Sequence, residues 1–120
     1  MKVCVTSTGN SLASPVDPRF GRCGVFFIVD TETMECSALP NPAMSSGGGA
    51  GTKAARIVVE AGARAVLTGN IGPNAFEALS AAGIQVYTGL RGTVQDAIAA
   101  FKSGTLKPVA QPTVKAHAGI

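Results

Sequence analysis

The sequence predicts a three-layer α/β domain, in which helices cover both faces of a mixed five-stranded sheet ordered 3-2-1-4-5 with strand two antiparallel. Strands alternate with helices in the second half of the chain, and this alternation produces right-handed crossovers between parallel strands. A polar link of three residues, 31–33, joins strands two and three, and so short a link connects antiparallel strands. A chain of 120 residues suits a single domain.

The strands are predicted from short runs of apolar, β-branched or aromatic residues that end at turn residues. These runs lie at 2–6, 25–30, 34–39, 65–68 and 84–87. The third run alternates weakly between apolar and polar residues, which is typical of a strand at the edge of a sheet. The domain is assigned to residues 1–106. Residues 107–120 are rich in Pro, Ala and Gly, and we expect them to form a mobile tail.

Helical spacing and capping residues predict three helices. The first covers 52–61 and has an apolar stripe that includes Val59. The second has Pro73 in its first turn, a position that proline favours. The third begins at the N-cap Thr93 and carries Asp96 three residues later, which is the spacing of a capping box.

Composition and charge limit the classes of protein to which this chain can belong. Hydrophobic residues make up 46% of the chain and the mean hydropathy is +0.30, which excludes a disordered protein. Ten Lys and Arg against seven Asp and Glu give a net charge of +3. The basic residues are scattered and tryptophan is absent, so an anionic small ligand is favoured over a nucleic acid. No apolar run is long enough for a membrane span or a signal peptide, and we therefore expect a cytoplasmic protein, most simply a monomer.

The metal-ligating residues are few. Cys4, Cys23 and Cys36 are widely spaced, and the single histidine is His117, so neither a zinc site nor a disulfide framework is predicted. Cys4 lies within a strand and is expected to be a small core residue. Cys23 follows Arg19 and Arg22, which should lower its pKa; it is either a thiolate ligand of a soft metal or an unligated thiol. His117 is either exposed and idle or a soft-metal ligand.

The predicted topology brings the glycine-rich loops to one edge of the sheet. These loops cover residues 7–12, 19–24, 43–51, 69–74 and 89–92. Clefts at the carboxyl ends of parallel strands are common ligand sites, and each of the three helices is expected to offer free N–H groups there. Arg19 and Arg22 add positive charge, so the edge is predicted to bind an anion. The alternative is that the glycines serve only the conformation of the turns.

Four motifs in this order resemble the dinitrogenase iron–molybdenum cofactor biosynthesis family. They are Asp-Pro-Arg-Phe-Gly-Arg-Cys at 17–23, Gly-Gly-Ala-Gly at 48–51, Thr-Gly-Asn-Ile-Gly-Pro-Asn-Ala at 68–75 and Gly-Thr-Val at 92–94. The resemblance covers about residues 1–106 and implies a ribonuclease H-like fold. It also implies that the chain binds or carries a metal–sulfur cluster, either a molybdenum–copper sulfide cluster or an iron–molybdenum–sulfur precursor. Donor or acceptor proteins would exchange this cluster with the chain.

The candidate cluster-binding residues combine these motifs with the two arginines and an apolar wall. They are Arg19, Phe20, Gly21, Arg22, Met44, Gly48, Gly49, Gly51, Asn70, Ile71, Gly72 and Asn74, with Cys23 as a candidate direct ligand.

The favoured function is non-enzymatic carriage of an anionic cluster, held mainly without covalent bonds. The alternative is a regulatory or scaffolding module of cofactor assembly that binds no cluster itself. A nuclease is disfavoured, because the first strand carries no acidic residue to bind a catalytic metal.

Overall fold

The computed structural model describes residues 1–45 and 49–115, apart from the side chains of residues 44 and 45. The strands are β1 (Lys2–Ser7), β2 (Val25–Asp30), β3 (Cys36–Pro40), β4 (Ala65–Leu67) and β5 (Gln85–Tyr87). A 3₁₀ turn at Pro42–Ser45 precedes the helices α1 (Ala50–Glu60), α2 (Pro73–Ala81) and α3 (Val94–Lys102).

The predicted sheet is confirmed: its order is β3-β2-β1-β4-β5. Strand β2 pairs antiparallel with both β1 and β3, whereas β1, β4 and β5 pair parallel. Helix α1 lies in the connection from β3 to β4, helix α2 lies in the connection from β4 to β5, and helix α3 follows β5. The strand register sets Cys4 opposite Ile28 and Val66, and places Val3 and Val5 on the other face.

Two cores lie on the two faces of the sheet. Alternate residues of β1 point to opposite faces, as the period of two in a strand requires. Cys4 packs in the core beneath α1 and α2, together with Val58 and Leu79. Val3 and Val5 pack in the core beneath α3, together with Ile98. None of the helices among residues 1–45 and 49–115 is long and apolar enough to cross a membrane.

Several boundaries differ from the predictions for local reasons. Helix α1 begins two residues early, at Ala50, because Gly49 adopts the left-handed conformation at its N-cap, with a φ of 69°. Strand β3 begins two residues late, because the amide of Met34 donates to the carbonyl of Asp30 in a tight turn. The prediction that Val59 belongs to the buried stripe is wrong: it is 42% exposed, since the phase of the helix turns Ala54 and Val58 inward.

Residues 107–115, which we expected to form a mobile tail, run along the domain. The amide of Val109 donates to the carbonyl of Val86 at 2.8 Å, at the open edge of β5. Its side chain packs against the core beneath α1 and α2. Further on, the amide of Thr113 donates to the carbonyl of Ile71 at 2.9 Å. The segment therefore reaches the edge of the sheet at which the glycine-rich loops meet.

Candidate functional site

The loops predicted to converge do meet at one edge of the sheet. The amide of Asn70 donates to the carbonyl of Pro18 at 2.8 Å, and the amide of Phe20 donates to the carbonyl of Asn70 at 3.3 Å. Gly69 is pressed against this segment: a Cβ there would lie 2.6 Å from the Cα of Pro18, closer than real atoms come. Glycine at 69 is therefore required for the close approach of the two backbones.

Asn41 joins a third segment to these two, and sequence reasoning missed it. Its side chain is 5% exposed, and its Nδ2 donates to the carbonyls of Gly21 at 3.1 Å and Cys23 at 2.9 Å. Its Oδ1 accepts from the amide of Ala43 at 3.0 Å. The signal in the sequence was an asparagine between Pro40 and Pro42, where a side chain commonly replaces backbone hydrogen bonds. Asn41 thereby fixes the arginine-bearing segment to the chain that enters α1.

The N-termini of α1 and α2 lie side by side at this edge. A Cβ at Gly51, in the first turn of α1, would lie 3.2 Å from the Cβ of Ala75 in the first turn of α2. Neither N-cap, Gly49 or Gly72, offers a side-chain hydrogen bond, and neither first turn contains an acidic residue. Two partial positive charges thus point to one place with no compensating carboxylate in either first turn.

The N-terminus of α3 differs, and the expectation that it offers free N–H groups is wrong. The amides of Val94 and Gln95 donate to the carbonyls of Ser14 and Leu12, both at 2.9 Å. The amide of Asp96 donates to the hydroxyl of Thr93, and the carboxylate of Asp96 accepts from the amide of Thr93 in a capping box. The first-turn donors of α3 are therefore already bonded within the protein.

Two members of the predicted apolar wall lie elsewhere. Phe20 and Ile71 are fully buried, and the Phe20 ring stands 5.9 Å from the Phe26 ring within the core. Neither side chain lines the surface of the edge, because an apolar side chain within a polar loop gains more from burial than from lining an open site. Their role in cluster binding stays a prediction. The third member, Met44, has a side chain outside the described part of the structure.

The backbone of Ile71 is also engaged. Its amide donates to the hydroxyl of Thr113 at 2.9 Å, and its carbonyl accepts from the amides of Thr113 and Val114. The C-terminal segment therefore lies against the loop that leads into α2. The sequence carried no clear signal for this contact, since the segment is rich in residues typical of a loose tail.

Arg19 supplies positive charge at the edge. Its side chain is 48% exposed, and its Nε lies 3.3 Å from Oδ1 of Asp17, a carboxylate that is itself 4% exposed. Arg19 also forms an isolated parallel bridge with Asn70, so its backbone is held beside the loop that enters α2. Arg22 is half-buried on the same segment.

The other candidates vary in exposure. Gly49 and Asn74 are exposed, Gly51, Asn70 and Gly72 are half-buried, and Gly21 is buried. Gly48 and His117 lie outside the described residues, so the structure places neither. Within residues 1–45 and 49–115, no three His, Cys, Asp or Glu side chains are grouped so as to hold a metal ion.

One of the three cysteines, Cys23, differs from the expectation drawn from the sequence. Burial and the neighbouring Asp17 carboxylate raise the pKa of Cys23 to about 12, outweighing the opposite effects of Asn41 and Arg19. The expectation of a lowered pKa is therefore wrong. Cys23 is a neutral thiol, 3.8 Å from Nδ2 of Asn41. Cys4 is fully buried in the core, as expected, and burial raises its pKa as well. Cys36 is exposed on β3, at the far edge of the sheet.

The sequence model of the dinitrogenase iron–molybdenum cofactor family matches residues 1–104 of this chain. The chain belongs to that family. Its fold is similar to the apo form of the orange protein from Desulfovibrio gigas, with a TM-score of 0.92 and 40% identity over 94% of this chain and 96% of that one. A Thermotoga protein solved by NMR is 38% identical, with a TM-score of 0.82 over 94% and 97% of the two chains.

A sequence relative from Methanocaldococcus jannaschii is 32% identical over 110 residues, or 89% of this chain and 90% of that protein. The family match and these likenesses extend over nearly the whole domain. The family match, over residues 1–104, includes every loop of the glycine-rich edge, from residues 7–12 to the capping box of α3.

Proposed function

We propose that this member of the dinitrogenase iron–molybdenum cofactor family is a non-enzymatic carrier of an anionic metal–sulfur cluster. The cargo would be a molybdenum–copper sulfide cluster or an iron–molybdenum–sulfur precursor, received from and passed to partner proteins. The observation that carries the proposal is the pairing of two N-termini without side-chain caps, those of α1 and α2, at an edge that also bears Arg19.

The donors at this edge suit such a cargo. The sulfides of a thiometallate core carry negative charge and accept hydrogen bonds from several directions. Helix N-termini and an arginine meet these acceptors with N–H groups and positive charge. Gly51 carries no side chain, so the first turn of α2 can lie against the first turn of α1, and the donors of both helices come to the same place.

The state of Cys23 supports a cargo held without a bond from that thiol to the metal. In the metal-free protein a thiol with a pKa of about 12 stays protonated at neutral pH, so Cys23 offers no preformed thiolate, the form that binds metals. The sulfides of the cluster would already satisfy its metals. The protein would then act as a cationic, amide-lined surface for a preformed anion.

Reconstitution tests the proposal directly. Apo protein is mixed anaerobically with tetrathiomolybdate and copper(I), desalted and examined by visible absorption and metal analysis. We expect a coloured complex of fixed stoichiometry that survives desalting. A colourless protein, with the metals in the small-molecule fraction, would contradict the proposal and favour the scaffolding module.

Arg19→Ala should weaken retention about tenfold or more, since a charge-assisted hydrogen bond contributes about 1.5–3 kcal/mol. Arg91→Ala is the matched control, because Arg91 is an exposed arginine in the loop before α3, whose first-turn donors are already bonded. Equal losses in the two variants would mean that only the general charge of the protein matters.

A second pair of variants separates metal ligation from electrostatic binding. Cys23→Ser should keep the visible bands of the reconstituted protein, because the thiol is not a ligand in this proposal. Cys4→Ser is the control for a buried cysteine and should change stability without changing colour. Loss of the bands in folded Cys23→Ser alone would show that Cys23 binds the metal.

A further inference from the structure

Asp17 is a carboxylate in an unusual place for a protein that binds anions. Asp17 is 3% exposed and lies two positions before Arg19, at the glycine-rich edge of the sheet. A buried carboxylate is costly unless it is paired and hydrogen-bonded. Its presence beside an anion site therefore needs a physical reason.

The backbone of Asp17 is fixed to the central strand. Its amide donates to the carbonyl of Thr6 at 2.8 Å, and the hydroxyl of Thr6 donates to the carbonyl of Asp17 at 2.7 Å. Thr6 is itself fully buried near the end of β1, with its hydroxyl 2.8 Å from that of Thr68. The carboxylate thus projects from a backbone that is held on both sides.

Asp17 holds Arg19 at two points. Its Oδ1 accepts from the backbone amide of Arg19 at 3.0 Å and from Nε at 3.3 Å. The terminal Nη groups make no hydrogen bond to any residue in 1–45 or 49–115, and the side chain is about half exposed. The guanidinium is therefore anchored by one nitrogen, and its other two nitrogens are not bonded to any of these residues.

We propose that Asp17 is a positioning residue of the cargo site, which holds the guanidinium of Arg19 so that its two Nη groups face the bound anion. This inference rests on the proposed function. Holding an arginine in its binding geometry before the ligand arrives removes part of the entropy cost of ordering it. The backbone bridge between Arg19 and Asn70 keeps the charge next to the loop that enters α2.

The two possible effects of the Asp17 carboxylate predict opposite changes in anion affinity. Asp17 carries the wrong charge for an anion site, so simple electrostatics predicts that Asp17→Asn tightens anion binding. Positioning predicts the opposite, because asparagine preserves size but holds Nε of Arg19 without a full charge. The two explanations are therefore separated by the direction of the effect.

The test measures the affinity of the apo protein for tetrathiomolybdate with copper(I). Asp17→Asn should weaken binding about tenfold, the scale of one charge-assisted contact. Asp30→Asn is the matched control: Asp30 is an acid at the other end of β2, where the same loss of charge should leave affinity unchanged. Unchanged or tighter binding in folded Asp17→Asn would overturn the inference.

A double-mutant cycle excludes a merely structural role. In an Arg19→Ala background, Asp17→Asn should change affinity less than about twofold, because no guanidinium remains to be positioned. An equal loss in both backgrounds would overturn the inference. Arg19→Lys is a second check that leaves the buried carboxylate in place: it keeps the charge without the Nε anchor and should bind almost as weakly as Arg19→Ala.

Nitrogen NMR of the arginine side chain reads the same contact without cargo. The Nε–H signal of Arg19 should be resolved and slow to exchange in the apo protein, and should lose this protection in Asp17→Asn. Fast exchange in the unaltered protein would overturn the inference. Failure of the unaltered protein to bind tetrathiomolybdate overturns the proposed function and this inference with it, whereas binding that is indifferent to Asp17→Asn overturns this inference alone.

Discussion

The glycine-rich edge has two halves that look alike in sequence and differ in the structure. The α1–α2 half contains the N-termini of α1 and α2 with Arg19, and the α3 half contains the N-terminus of α3 with its loop at 89–92. In the α3 half, Thr93, Asp96 and the carbonyls of Leu12 and Ser14 take up the first-turn donors. In the α1–α2 half, the N-cap residues Gly49 and Gly72 provide no side-chain hydrogen bond to either helix.

The difference shows that glycine content does not by itself mark an anion site. Gly92 adopts a left-handed φ of 79°, and a Cβ added at this position would lie 2.5 Å from Oδ2 of Asp96. Its role is conformational, since it brings the chain into the capping box. Gly51 instead allows two helix N-termini to approach one another. An anion is therefore expected in the α1–α2 half alone.

The largest expected effect comes from giving α1 the acid that α3 already has. Thr52 is exposed at the third position of α1, which corresponds to Asp96 in α3. Thr52→Asp should weaken cargo binding about a hundredfold, because two like charges about 6 Å apart repel by about 3 kcal/mol at an effective dielectric constant of about 20. Its stability should rise slightly, since an acid in the first turn of a helix is favourable.

Gln95→Glu is the control for this variant. It places the same new charge in the first turn of α3, where the backbone donors are already bonded, and it should leave binding unchanged. Equal weakening by the two variants would remove the distinction between the halves. Tetrathiomolybdate titration and thermal unfolding of the same samples provide both measurements.

The second effect concerns the contact that supports Arg19. Gly69→Ala should lower the free energy of unfolding by about 1–3 kcal/mol, the usual cost of overpacking, because its Cβ would meet the backbone of Pro18. Gly89→Ala is the comparison: its φ of 76° is strained for alanine, but nothing lies within 4 Å of an added Cβ. Gly89→Ala should cost about 1 kcal/mol, the cost of a left-handed residue. Denaturant unfolding measures the stability of both variants. A smaller loss of stability in Gly69→Ala than in Gly89→Ala would contradict the close approach of Gly69 to Pro18.

The third effect tests the closure of the α3 half. Thr93→Ala removes the N-cap and should cost about 1 kcal/mol of stability without changing cargo binding.

Hydrogen bonds from Thr93 lower the pKa of Asp96. The stabilisation from the ionised Asp96 is therefore complete above the ordinary aspartate pKa of about 3.9, and is lost as pH falls through the lowered value.

Asp96→Asn should consequently be less stable than the unaltered protein at neutral pH and should approach it in acid. Thermal unfolding as a function of pH checks this expectation. A difference in stability that stays constant down to low pH would show that the charge of Asp96 does not stabilise the cap.

Local signals predicted most of the fold. The strand order followed from the alternation of elements, and the capping box of α3 was visible because Thr93 and Asp96 are three residues apart. The burial of Phe20 and Ile71 was not predicted, since it depends on which segments the loops meet in space. The pKa of Cys23 was missed for the same reason: Arg19 and Arg22 are its neighbours in sequence, but burial and Asp17 dominate.

The smallest expected effect concerns a side chain that closes one donor in the α1–α2 half. The hydroxyl of Thr113 accepts from the amide of Ile71 at 2.9 Å, much as Thr93 accepts from α3. Thr113→Val preserves shape and removes this acceptor, so it should cost about 0.5 kcal/mol, the lower end for one hydrogen bond. The Ile71 amide should then exchange with solvent roughly twofold faster.

Hydrogen exchange followed by NMR measures this change at the single amide. Thr105→Val is the control, because Thr105 is an exposed threonine just before the C-terminal segment, and its hydroxyl lies 2.9 Å from that of Ser103. It should leave the exchange of the Ile71 amide unchanged. If Thr113→Val also leaves it unchanged, the C-terminal segment does not hold this loop in solution, and the α1–α2 half is more open than the structure indicates.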